Sequence, residues 1–517
     1  MPARLLRRRP DPILRCELHR SIYKSASSIS AMLHPLRSLL KATAAFAAPV
    51  ALAVVCTAVL TLGGCAFQNQ RLKMADYAAT GRYDIAAKEL DTPGVQALYG
   101  DNSKLLWLLD RGSIAFALGD DKRAFADWEE ADKIMDLWRE QPAGDTVASW
   151  LLNDEITNYI AAPYEDMYVN AMKLLVNLRL GRLEGGATVE ARRAAGKANL
   201  LRDRYLKFDS ALRQKDSKAF SQAVAGRPTA LFAEATSGGQ FIESPLATYL
   251  SAVTFAKSGE PENQAVAARR LTEIFSAQGS LIGNVNPADF ASMGELQQTS
   301  VNVLLVAFAG HAPIKVPERI GPIPIYTYPL YIELPKLKTS VGEVGSVTAI
   351  AERITPATTP GLPPTIAPAS ADDLIETAMP LIEDLSRVAA INHQRELPQI
   401  YARGIIRSSI KAAASAVATE AIRQSTRNSK YGDVATIGSV LAGLIFVTAT
   451  ERADLRTWAF LPGAAHVQLL SLPPGTWRIH MRYKGAAGGT VFTTPYETVT
   501  ISGYPTELAT VIGHYWR

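Results

Sequence analysis

Over 517 residues the chain carries 54 Lys and Arg against 49 Asp and Glu, a formal charge of +5, but nine of the basic and two of the acidic residues fall in residues 1–64. Beyond that point 45 basic residues face 47 acidic ones, net −2, and nothing is left that argues for nucleic acid as a partner. Of the three cysteines, Cys16, Cys56 and Cys65, only the last lies outside residues 1–64, which excludes a disulfide framework and leaves burial to hold the fold.

The first element is the uncharged run Ala42–Leu62, which follows Arg37 and Lys41 and ends in Leu62-Gly63-Gly64-Cys65. A positive start, an apolar stretch and small residues before the break are the layout of a secretory signal peptide. The four closing residues resemble the lipobox of bacterial lipoproteins. That resemblance implies cleavage between Gly64 and Cys65, a diacylglyceryl thioether on Cys65, and acylation of the new amine by a fatty acid such as palmitate. Ala66, in the place where Asp would direct otherwise, implies sorting to the outer membrane, facing the periplasm. Two acyl chains already give stable anchoring, each buried CH2 contributing ~0.8 kcal/mol. The run is also long enough for an uncleaved membrane helix, since ~20 apolar residues span a bilayer. The Gly-Gly-Cys ending, and the lack of a basic cluster in Ala66-Phe67-Gln68-Asn69-Gln70, favour the cleaved leader. Residues 1–41 read as an overlong start, and translation from Met32 gives a compact leader; Arg7, Arg8 and Arg9 fall in the part to be removed.

The remaining 453 residues suffice for two or three cores. From Gln70 to about Gly279 apolar residues recur at spacings of three and four, which predicts helices. Four hairpins share one grammar: a helix, a turn glycine (Gly81, Gly119, Gly181, Gly259), then a helix rich in small residues. Glycine supplies a left-handed cap, and alanine lets the second helix approach the first. In the second hairpin Gly112 is followed by Ala124, Trp128 and Ala131, an order that resembles a tetratricopeptide repeat. Spacings of 38, 62 and 78 residues between the turn glycines make the array irregular, and a generic stack of α-hairpins is the other reading. Either gives a concave surface suited to a protein segment. Within it Tyr164-Glu165-Asp166-Met167-Tyr168 and Glu190-Ala191-Arg192-Arg193-Ala194 stand out. Tyr164, Asp166 and Arg192 are candidates for gripping a partner; interhelical hydrogen bonds and ion pairs are the plainer role.

After about Asn284 the pattern changes. Strands are predicted over 301–309, 314–316, 323–332 and 346–350, with prolines suited to edges, then an extended loop over Thr355–Ser370. Ala371–Leu385 reads as a helix opening on Asp372 and Asp373, and Glu396–Arg423 as a long helix with Arg403, Arg407 and Lys411 on one face. That stripe suits lipid headgroups, an acidic partner or simply solvent. Val434–Thr450 is uncharged, and reads as a closely packed buried helix or a membrane-inserting segment. Strands return over 466–472, 477–483, 490–501 and 507–514. The expected fold class is therefore α+β. An irregular tetratricopeptide-like helical-hairpin array over 65–285 precedes a β-sandwich-like domain over 286–517, into which helices at 371–450 are inserted.

Between helix and sheet lies Glu451-Arg452-Ala453-Asp454-Leu455-Arg456-Thr457-Trp458-Ala459-Phe460-Leu461-Pro462. Taken with the lipobox, the 164–168 and 190–193 segments, the Arg403/Arg407/Lys411 stripe and the Leu472-Pro473-Pro474-Gly475 turn, this junction resembles an uncharacterised family of tetratricopeptide-like bacterial outer-membrane lipoproteins. The resemblance implies a part in an envelope assembly, beside curli-secretion-type and penicillin-binding-protein-activator-type lipoproteins. Arg456 and Trp458 are further candidate partner-binding residues; a buried indole with a paired Asp454–Arg456 is their structural alternative.

No enzyme signature is found: there is no His-Glu-x-x-His, Cys-x-x-Cys or Gly-x-Ser-x-Gly, and Gly196-Lys197 lacks the first glycine and the hydroxyl of a P-loop. No catalytic, cofactor or metal residues are assigned. His466 and His480 could be strand neighbours. The expected function is a lipid-anchored scaffold binding other envelope proteins. An envelope enzyme with a site at the helix–sheet junction, or a subunit of a membrane-inserted oligomer, are the alternatives.

Overall fold

A computed structural model describes residues 67–140, 158–215, 241–282, 301–354, 373–427 and 453–517, apart from isolated positions, together with the short pair Pro356–Ala357 and Thr365–Ile366. The leader with Cys65, most of the 355–370 loop and all of Val434–Thr450 but Thr436 and Val440 lie outside the described residues, as do the side chains of Arg403, Arg407 and Lys411.

Helices fill the N-terminal half: α1 (69–79), α2 (Tyr83–Leu90), α3 (Pro93–Tyr99), α4 (Lys104–Ala117), α5 (Asp121–Glu140), α6 (Pro163–Arg179), α7 (Thr188–Lys215), α8 (Pro245–Lys257) and α9 (Pro261–Ser276). The turn glycines do what their spacing predicts. Gly81, Gly119, Gly181 and Gly259 all sit at positive φ, between 67° and 80°. At the first three the next residue donates back across the turn: Arg82 N to Tyr77 O at 2.8 Å, Asp120 N to Ala115 O at 2.9 Å, and Arg182 N to Asn177 O at 2.8 Å. This is the 6→1 bond that closes a helix on a left-handed residue. Between α4 and α5, Gly112 lies directly under the Trp128 ring, where a Cβ would come within 2.5 Å of Nε1. Ala124, Trp128 and Ala131 are fully buried beside it.

The C-terminal half is built on sheets. Strands β1 (Val303–His311), β2 (Ile314–Ile325), β3 (Tyr328–Lys338), β4 (Val344–Ile354), β5 (Leu374–Met379) and β6 (Leu381–Asp384) lead into one long helix, α10 (Leu385–Thr426). Strands β7 (Pro462–Leu470), β8 (Gly475–Gly485), β9 (Thr490–Thr493), β10 (Glu497–Ile501) and β11 (Ala509–Tyr515) follow. One sheet has the order β11-β1-β7-β6; the other runs β9-β8-β4-β5, with β10 also on β8. β1 is parallel to β11 and antiparallel to β7, with Val306 opposite both Ile512 and Val467. β2 and β3 form a separate two-stranded ribbon.

β1 is apolar on both faces, as a strand covered from both sides must be. Val303, Leu305, Ala307 and Ala309 share a core with Val347, Ala349, Trp477, Ile479, Met481 and Tyr483 of the second sheet. Leu304, Val306 and Phe308 belong to the core of the helices. The first sheet is thus the middle layer.

Two expectations are corrected. Residues 374–384 form strands β5 and β6, not a helix. Pro380 would cost a helix one backbone hydrogen bond, and pairing of β5 with β4 and of β6 with β7 outweighs the local helical pattern. The long helix then starts at Leu385, where Asp384 caps Ser386 N at 3.0 Å. His466 and His480 are not neighbours: they lie on β7 and β8, in different sheets, and both are buried.

Candidate functional site

Two polar constellations are built into the apolar body. The first is the junction before β7. Here the chain passes along α4 and over the N-terminus of α6, and its backbone is held by two buried carboxylates. Asp110 accepts from Ala459 N at 3.0 Å on one oxygen and from Tyr99 OH at 2.8 Å on the other, with Arg71 at 3.7 Å. Glu165 accepts from Trp458 N at 2.7 Å on Oε1, and from Tyr159 OH at 2.5 Å and Ala162 N at 2.7 Å on Oε2. Burial pushes the Asp110 carboxyl up to about 6 against the opposing pull of Arg71. Trp458 is buried and donates Nε1–H to Ser113 Oγ at 2.9 Å. Arg456 pairs with Asp454 at 2.8 Å and donates to Ser103 Oγ at 3.1 Å and Asn102 O at 3.2 Å, while Arg71 donates to Thr457 O. The indole is buried and Asp454 and Arg456 are paired: both side chains fasten the sheet to the helices.

A third carboxylate makes a similar bond elsewhere. Glu383, on β6, accepts from Leu246 N at 2.8 Å and from Ser244 Oγ, at the N-terminus of α8. Such an end presents donors without intrahelical partners and favours negative charge. Burial outweighs these bonds and pushes the carboxyl up to about 7.

The second constellation lies among α5, α6 and α7. Lys173 on α6 is fully buried and meets Glu129 at 2.5 Å, Asp132 at 3.0 Å and Glu190 at 3.2 Å. Lys197 on α7 meets Asp132 at 2.6 Å and Asp166 at 2.9 Å. Burial pushes the Asp132 carboxyl up, but the two ammonium groups more than offset this and hold it at about 2. Over this network opens a cleft of about 410 Å³ lined by Phe125, Glu129, Asn177, Arg182, Glu184, Gly185, Gly186, Val189, Glu190 and Arg193. Arg182 and Glu184 at its rim are exposed. The cleft therefore offers charges of both signs on a floor fixed by paired lysines.

The candidate partner-binding residues are distributed as follows. Tyr164 and Asp166 are buried on α6, Asp166 against Lys197. Their neighbour Glu165 holds the junction that contains Arg456 and Trp458, so these four residues converge on the start of α6. Arg192 stands apart and exposed on α7, 3.7 Å from Glu260. Asp110, Lys173 and Glu383 were not foreseen. Lys173 is a lone charge in an apolar run (Met172-Lys173-Leu174), and Asp110 and Glu383 each close one (Leu108-Leu109-Asp110, Leu381-Ile382-Glu383); a charge there must be paired once buried. No protein family, curated protein or solved structure matches this chain.

Proposed function

We propose that this chain is a bacterial lipoprotein, held on the periplasmic face of the outer membrane by acyl chains on Cys65, that binds other envelope proteins, lipoproteins among them, as a scaffold. The observation that carries the anchor is Leu62-Gly63-Gly64-Cys65 closing an uncharged run. Among the described residues no helix is long and apolar enough to cross a membrane, which is compatible with a lipid anchor.

The helical half is read as an irregular tetratricopeptide-like array, supported by the Gly112–Trp128 contact and the repeated glycine-closed turns. The two sheets sharing one core are read as a β-sandwich. The cleft at Glu190 and Arg193 is the surface assigned to the partner, because it joins exposed charges to a rigid floor. A photocrosslinker placed at Arg193 in the lipidated protein tests this in intact envelopes. A reproducible protein adduct, lost in Arg182→Glu, is expected. Absence of any reproducible adduct at the cleft would overturn the scaffold reading.

A further inference from the structure

The folded body begins almost at the proposed anchor. Cys65 precedes Phe67 by two residues, and two residues reach ~7 Å at most. The Phe67 ring already packs edge-on against Tyr99, 5.0 Å between centroids. Arg71, four residues on, is buried against Asp110 and the junction backbone and lies over the Phe67 ring. Acyl chains on Cys65 would therefore have no slack linker.

The surface at this end carries apolar side chains in water. Leu72 on α1 is 64% exposed, Leu98 beside Tyr99 36%, and Ile160 beside Tyr159 55%. Tyr159 belongs to the same end, since its N–H donates to Asn102 O at 2.6 Å, just ahead of α4. We propose that this end of the body, marked by Leu72, Leu98 and Ile160, lies against the lipid bilayer, so that the anchor fixes the orientation of the protein. The proposal rests on lipidation of Cys65. A bilayer is the occupant because the chain joining body to anchor is too short to place anything else there. Apolar side chains at an interface add to acyl anchoring. The far end is set by α4, whose 14 residues run ~20 Å from Lys104 to Ala117 at 1.5 Å each. Leu118, 45% exposed, lies there.

Lipidation occupies the Cys65 thiol, and Cys16 and Cys56 precede the cleavage point, so one introduced cysteine is the only free thiol of the mature chain. Leu72→Cys, Leu98→Cys, Ile160→Cys and Leu118→Cys are labelled with an environment-sensitive fluorophore. Each is bound to phosphatidylethanolamine/phosphatidylglycerol vesicles containing nitroxide-labelled lipid. Flotation with the vesicles is expected, with quenching at 72, 98 and 160 at least twofold stronger than at 118. Flotation with equal quenching at all four positions overturns the proposed orientation and leaves the anchor standing. Failure to float overturns the anchor and the orientation with it.

Discussion

Glu165→Gln isolates one of the bonds that join the two halves. The side chain is fully buried and keeps its shape, but one of two acceptor oxygens becomes an NH2 donor. Oε2 serves two donors, Tyr159 OH and Ala162 N, and Oε1 serves Trp458 N alone, so the amide nitrogen is forced toward Trp458. That buried N–H loses its acceptor, at ~1–3 kcal/mol. The two remaining bonds weaken, because charge-assisted hydrogen bonds are roughly twice as strong as neutral ones. Easier burial of a neutral group offsets part of this. The net effect is about 2–3 kcal/mol, or roughly 30- to 150-fold at 1.4 kcal/mol per tenfold. Amide hydrogen exchange at Trp458 reads it directly, and the urea midpoint reads the global share. Exchange at Trp458 unchanged from the wild type would refute the reasoning.

Three further outcomes follow from the geometry. Gly112→Ala drives a methyl into the Trp128 ring, which Phe116 at 5.5 Å and Trp458 at 6.2 Å keep from retreating. Overpacking of ~1–3 kcal/mol, less ~1 kcal/mol of helix propensity, leaves a loss of ~0–2 kcal/mol in urea. The penalty shrinks in a Trp128→Phe background, and strict additivity would contradict the contact. Gly181→Ala places a side chain at φ 67° and should cost ~1 kcal/mol, although nothing crowds the site. Glu383 has a folded carboxyl near 7, above the ordinary glutamate value of 4.5, so between those pH values the folded state holds more protons than the unfolded one. Its contribution to stability therefore falls as pH rises through that window, by about 3 kcal/mol at most. Glu383→Gln removes the slope, so the variant should gain on the wild type from pH 4.5 to 7.5; parallel stability curves would count against it.

What could be read from the sequence was local. Gly81, Gly119, Gly181 and Gly259 announce their turns because only glycine takes a left-handed cap without strain. β1 announces itself as a run of Val, Leu, Ala and Phe, apolar on both faces. What was misread or missed depends on residues far apart in the chain. Residues 374–384 look helical alone and become strands only beside β4 and β7, although Pro380 is a signal against a helix. Glu165 stood in a segment noted for its tyrosines and carboxylates, but its partner Trp458 is 293 residues away, a separation no periodicity reports. The same holds for Glu383 and Leu246, 137 residues apart. Candidate binding residues chosen for their chemistry, Tyr164, Asp166, Arg456 and Trp458, turn out to be buried, since aromatic and charged groups also fasten elements together.

Intact-mass analysis of the protein purified from its own envelope bears most directly on the anchor. The account predicts a chain that begins at Cys65 and carries the added mass of a diacylglyceryl group and an amide-linked fatty acid. A chain that retains residues 1–64, with no fatty acid on Cys65, would contradict it.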